Sequence, residues 1–256
     1  MVSQMRAYFI YQASTLGAFL FFLRQVGRQA VRGPFRFREI FFQLEAIGNH
    51  SLPIILLTGL CTGAVFSLQI GGIFQVFGAE SLTGGATGIA LATELAPLVT
   101  GFLLIGRVGA AMTAEISTMV VQEQVLALES MAVDPIHYLV VPRVLASMIM
   151  MPLLCGVFMA VGVVGAYIVG MGLFDLDQGV FFDRLLHMVT FHDLIAGLRK
   201  MFIFSFFISI ICCRGGLMAS GGAKGVGLAT TTSVVIALLV LLCIDFLISY
   251  FQIRWL

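Results

Sequence analysis

Residues 94–146 read ELAPLVTGFLLIGRVGAAMTAEISTMVVQEQVLALESMAVDPIHYLVVPRVLA, and the order of properties along that stretch decides the fold. An apolar run extends to about Ala114, a polar segment follows, and a second apolar run opens near Val140. The middle, EQVLALESMAVDP at 123–135, holds Glu123, Glu129 and Asp134. Helix propensity is good from Met119 to Met131, and Asp134-Pro135 ends the helix because a residue before proline is pushed out of the α region. Val121, Val125, Leu128 and Met131 recur at spacings of four and three, so they share one face, with Glu123 away from it and Glu129 at its edge. The stretch therefore predicts two apolar helices joined by a short amphipathic one at about 118–133.

The rest of the chain has the same character. Of 256 residues, 60% are hydrophobic, 23 are Phe and only 11% are charged, with mean hydropathy +1.06. That leaves too little polar surface to cover a soluble globule, so the solvent is mostly lipid. A bilayer core takes about 20 apolar residues per helix, which places five spans at roughly 52–77, 88–114, 140–174, 194–213 and 233–253. Residues 1–49 precede them as an N-terminal region. Within it Arg24, Arg28 and Arg32 recur every fourth residue, the mark of a helix lying at the membrane surface, and a second amphipathic piece starts after Pro34. A sixth span over 7–23 is the alternative for the first of these. The expected fold is an all-α integral membrane protein: interfacial helices over 1–49, then a five-span domain over 50–256.

Lys and Arg accumulate on the cytoplasmic side of a bilayer. With the N-terminus inside, ten of the fourteen basic residues fall on the inner side and Arg184, Arg199, Lys200 and Arg254 on the outer. This orientation puts the 118–133 helix in the cytoplasm and the C-terminus outside. A helix resting on lipid usually carries Lys or Arg toward the headgroups, whereas this one carries Glu. An apolar ridge flanked by carboxylates suits a basic-edged groove in a protein partner better.

Several functions are excluded by pattern. A net charge of +1 gives no basic surface for nucleic acid. Neither lysine, Lys200 or Lys224, lies in the G-x-x-x-x-G-K-[ST] frame of a phosphate-binding loop, so this chain does not hydrolyse ATP by itself. His187, His192, Asp183 and Asp193 match no metal-ligand spacing, and an amphipathic helix at about 178–191 accounts for that segment. The five cysteines form no C-x-x-C pair and read as buried thiols.

Ionisable residues within spans are costly and are functional candidates by default. Glu94 and Lys200 fall at similar depth on the second and fourth spans, where they can neutralise each other. Their pairing fixes helix register in one reading and lines a transport route in the other. Arg199 adjoins Lys200, Asp245 lies in the fifth span, and Arg107 and Glu115 orient the loop segment. In the first span Leu68, Ile70, Phe74 and Phe77 are candidate walls of a lipid-sized cavity. Gly162, Ala166 and Gly170, with Gly106 and Ala110, permit close helix approach. GGATGIALAT (84–93) and GGAKGVGLAT (221–230) are alike mainly in Gly and Ala, which reflects packing rather than a repeat.

Residues 94–146, with FHDLIAGLRK (191–200) and GGAKGVGLATTTSVV (221–235), resemble the MlaE-type permeases, the membrane subunits of ABC transporters that work with MCE-domain lipid-binding proteins. The resemblance runs from about Arg36 to the C-terminus. It implies a homodimer in the bacterial inner membrane and two separate ATPase subunits that hold ATP and Mg. It also implies an MCE-type partner on the outer side and phospholipid cargo in support of outer-membrane lipid asymmetry. The 118–133 helix becomes the coupling helix, with Glu123, Gln124, Leu128, Glu129, Met131, Asp134 and Pro135 at the ATPase. The competing expectation is an ion-coupled secondary transporter using Glu94, Lys200 and Asp245.

Overall fold

The computed structural model describes residues 17–30, 36–174 and 176–255, and within them all regular structure is helical. We label the helices α1 (17–30), α2 (Phe37–Val76), α3 (Glu80–Val121), α4 (Gln124–Ser130), α5 (Ile136–Phe174), α6 (Gln178–Met188), α7 (Phe191–Leu217) and α8 (Gly222–Trp255). Five of them, α2, α3, α5, α7 and α8, are long and apolar enough to cross a bilayer. The amphipathic stretch after Pro34 and the first span are one continuous helix, so residues 49 and 50 lie inside α2. Residues 1–16 and Arg32 are outside the described residues. Over 17–30, Val26 is buried while Arg24 and Arg28 are exposed.

The most extensive helix pair is α2 with α5, and its chemistry explains the closeness. Ser51, Ile55, Gly59, Gly63, Ser67 and Gly71 of α2 recur every fourth residue and are all buried. Lipid tails are as apolar as Leu, so helices in membranes associate through close backbone contact rather than through expulsion of water. A Cβ at Gly63 would overlap the carbonyl of Gly162, and one at Gly165 would overlap that of Leu60. Ser67 Oγ donates across the same seam to the Ala166 carbonyl at 3.1 Å. Of the small residues singled out in sequence, Gly162, Ala166 and Gly170 are buried in α5, whereas Gly106 is exposed with open space before it. The α2 stripe was not among the sequence expectations, although its period of four is legible there.

Helix α7 packs on α5, α3 and α8. Its Gly197 meets the Ala92 carbonyl, and Thr113 Oγ1 of α3 donates to the Cys212 carbonyl at 3.0 Å. Cys155, Cys212 and Cys213 are buried. Cys61 and Cys243 are exposed on the chain, a departure from the reading of all five as buried thiols, because each lies on an outward face of α2 or α8. The two glycine-rich segments serve different ends. Gly84, Gly85 and Gly88 admit Phe181, Met188 and Leu185 of α6 against the start of α3, whereas Gly221 and Gly222 take positive φ to turn the chain into α8.

Candidate functional site

Helix α3 is not regular. It widens into π turns at Leu91–Leu95 and Ile105–Gly109, and α5 opens with another at Ile136–Val140. Two of these end two residues before a proline, Pro97 and Pro142. The ring removes an N–H and crowds the carbonyl four residues back, so the helix dilates upstream. π turns concentrate at functional positions, and here the first contains Glu94 and the second Arg107.

Glu94 meets Lys200. The Lys200 ammonium is 1% exposed and lies 2.6 Å from Glu94 Oε2, 2.8 Å from Ser249 Oγ and 3.4 Å from Asp245 Oδ1. Its three N–H groups thus face three oxygens carried by α3 and α8. Ser249 Oγ lies 3.2 Å from both carboxylate oxygens of Glu94 and 2.9 Å from the Asp245 carbonyl, so its single proton has alternative acceptors. The side chain of Asp245 is 15% exposed and that of Glu94 45%. By helical rise Lys200 is roughly 14 Å from the start of α7. One ammonium between two carboxylates, open on the Glu94 side, can bind a polar headgroup or couple helix movement. Sequence placed Glu94 beside Lys200 and named Asp245 as an intramembrane charge without pairing it to Lys200 outside the ion-coupled alternative. Ser249 was not singled out, since a serine in an apolar span gives no signal by itself. Arg199 is exposed and lies outside the cluster.

At the opposite end of α3 the loop helix is shorter than 118–133. Val121 still belongs to α3, and α4 runs only from Gln124 to Ser130. Two non-glycine residues in the left-handed region bracket it, Glu123 at φ 58° and Ala132 at φ 57°. They turn the chain sharply on either side. Glu123, Gln124, Leu126, Glu129 and Met131 are exposed, and Val125 and Leu128 are half-buried. Asp134 faces inward: Oδ1 accepts from Ile136 N at 2.9 Å, capping α5, and Oδ2 accepts from Gln29 Nε2 of α1. Pro135 is half-buried beside it. The buried Arg143 of α5 donates to Glu115 Oε2 of α3 at 3.0 Å and to the Leu139 carbonyl at 2.9 Å, clamping the two helices from which α4 hangs. Arg36 stacks on the Tyr138 ring 4.2 Å from its centre. Arg143 and Gln29 were missed in sequence because their partners are distant along the chain.

In α2, Leu68 is exposed and Ile70 and Phe74 are half-buried, and Phe77, just past its end, is exposed. The Gly/Ser stripe that seats α2 on α5 turns Leu68 outward. No group of three or more His, Cys, Asp or Glu side chains among the described residues is arranged to hold a metal.

Comparison with known proteins bears on the family. A family model described as Permease MlaE matches residues 40–251. A probable ABC transporter permease protein of Rickettsia felis is 40% identical over 93% of this chain and 92% of its own length. One from a Synechocystis strain is 38% identical over 92% and 89%. The chloroplastic protein trigalactosyldiacylglycerol 1 of Arabidopsis thaliana is 34% identical over 89% of this chain and 65% of its own.

Proposed function

The chain belongs to the MlaE permease family of ABC transporters, and on that premise we propose that it moves phospholipid or a similar lipid between the bacterial inner membrane and an outer-side lipid-binding partner of the MCE type. It works as a homodimer with two ATPase subunits that bind ATP and Mg. The N-terminus is cytoplasmic and the C-terminus periplasmic. The lipid reading draws support from the family and from a relative named for a glycolipid.

The observation that carries the coupling role is α4: a helix exposed on its outer side, between two spanning helices that Arg143–Glu115 clamps to each other and next to the Asp134 cap on α5. A short rigid element of this kind transmits a push instead of absorbing it. Glu123, Gln124, Glu129 and Met131, with Leu128 behind them, meet the ATPase, while Asp134 and Pro135 hold the angle of approach. The Glu94–Lys200–Asp245 cluster lies on the lipid route, and the outward faces of α2 and α8 complete that route with the second copy.

Reversal of Glu123 and Glu129 to Lys tests the coupling role. The variant is expected to insert normally and lose co-purification with the ATPase; unchanged association overturns the docking assignment. The ion-coupled alternative draws on the same buried charges. Gradient-driven transport by the isolated chain in proteoliposomes would establish it and displace the reading above.

A further inference from the structure

A second polar site lies apart from the Glu94 cluster, 13 residues further along α3, or about 20 Å by helical rise. Here α2 and α3 border a cleft of about 350 Å³ lined by Phe42, His50, Ser51, Arg107, Met112 and Glu115. This volume suits a small polar group with part of an apolar body.

The depth of the cleft follows from sequence. Residues 51–76 of α2 carry no charge, and 37–50 hold Arg38, Glu39, Glu45 and His50. In α3, residues 95–106 are uncharged and Arg107 is the first charge after them. His50 and Arg107 therefore mark the plane where both helices leave hydrocarbon, which is where one leaflet presents its phosphates.

The chemistry of the lining is specific. Arg107 Nε donates to the His50 carbonyl at 3.3 Å, which holds the guanidinium at the cleft with its terminal N–H groups available for a forked contact to phosphate. Ser51 is 2% exposed and its Oγ has no hydrogen-bond partner, an arrangement that costs stability unless a ligand or water fills the position. Glu115 engages Arg143 through Oε2, and its side chain is 57% exposed, so Oε1 remains an acceptor. The phosphate donors and the carboxylate thus line one cleft, a complement to a zwitterion.

We infer that this cleft binds the headgroup of a zwitterionic aminophospholipid from the leaflet on the α4 side. The phosphate oxygens accept from Arg107 and Ser51, the ammonium donates to Glu115 on the side away from hydrocarbon, and the glycerol end turns toward the uncharged stretches 51–76 and 95–106. A soluble phosphate shares the anionic half of this chemistry and lacks the rest. The site requires neither ATPase docking nor transport, so its failure is separable from failure of the proposed function.

The test uses the full chain in phosphatidylglycerol nanodiscs doped with a photoreactive phosphatidylethanolamine, with labelled peptides mapped by mass spectrometry. Labelling is expected within 42–51 and 107–115, and to fall by about tenfold or more in Arg107→Ala, the effect of removing a charge-assisted bond. Arg107→Lys retains much of it, and Lys224→Ala, an exposed cation elsewhere, retains all of it. Ser51→Ala lowers labelling severalfold and carries the test by itself if Arg107→Ala does not insert. Labelling confined to other segments, or unchanged in Arg107→Ala or Ser51→Ala, overturns the site. Displacement of the label by inorganic phosphate makes it a soluble-anion site instead. Equal labelling by a photoreactive phosphatidylglycerol overturns the role of Glu115.

Discussion

Lys200→Met is the most informative single change at the buried cluster. It removes a 2.6 Å charge-assisted bond to Glu94, a 2.8 Å bond to Ser249 and a 3.4 Å contact with Asp245, while the thioether refills most of the space. Removing one partner of a buried ion pair costs about 3–5 kcal/mol because the remaining charge stays uncompensated. Glu94 is 45% exposed and can rehydrate, but Asp245 is only 15% exposed, so the lower end applies, about 3 kcal/mol, or roughly 150-fold in the unfolding constant. The triple variant Lys200→Met, Glu94→Gln, Asp245→Asn removes the stranded charges and is expected to recover to within about 1 kcal/mol of the native chain. Equilibrium unfolding in mixed micelles of dodecylmaltoside and SDS measures both. A Lys200→Met loss below about 0.5 kcal/mol, the range of an inert surface change, refutes the view that the ammonium neutralises this site. A triple variant as unstable as the single one refutes the view that stranded charge is the cause.

Other consequences follow from packing and backbone. Gly63→Val drives a side chain into the Gly162 carbonyl and is expected to cost about 3 kcal/mol, whereas Gly72→Val, with nothing near it, leaves thermal stability unchanged. Ala132→Gly relieves a left-handed residue at φ 57° and is expected to raise stability by about 0.5–1 kcal/mol; Ala132→Val lowers it. Arg143→Ala breaks the clamp on Glu115 and is expected to leave ATPase association intact while lipid movement per ATP hydrolysed falls, read in reconstituted complex. Cysteines introduced at Ser81 and Ser130 are expected to label from opposite sides of the membrane.

Much of this protein is written in local pattern. The positions of all five spans were legible because a run of about 20 apolar residues is a property of adjacent residues. The loop helix was legible too, but its ends were not. Val121 stays in α3 and the ridge ends at Ser130 because the chain turns at Glu123 and Ala132, and propensity gives no warning of positive φ at Glu or Ala. The continuity of α2 through residue 49 was also hidden, since the charged stretch before His50 differs in composition from the span, though not in backbone.

The sequence by itself determined that the chain lives in lipid, where the five long apolar helices of the described residues run, and that a short acidic helix interrupts them. Depth along the spans brought Glu94 to Lys200, and tertiary structure alone decided which other polar groups meet. Lys200 lies 49 residues from Ser249, and Arg143 lies 28 from Glu115. Such meetings depend on the rotation and crossing of whole helices, set by close contacts such as Gly63 on Gly162 and by π turns that rephase one face of α3. Hydropathy records how deep a residue lies; it does not record which way the residue points. In a bundle where nearly every face is apolar, direction is what separates a stranded charge from a site.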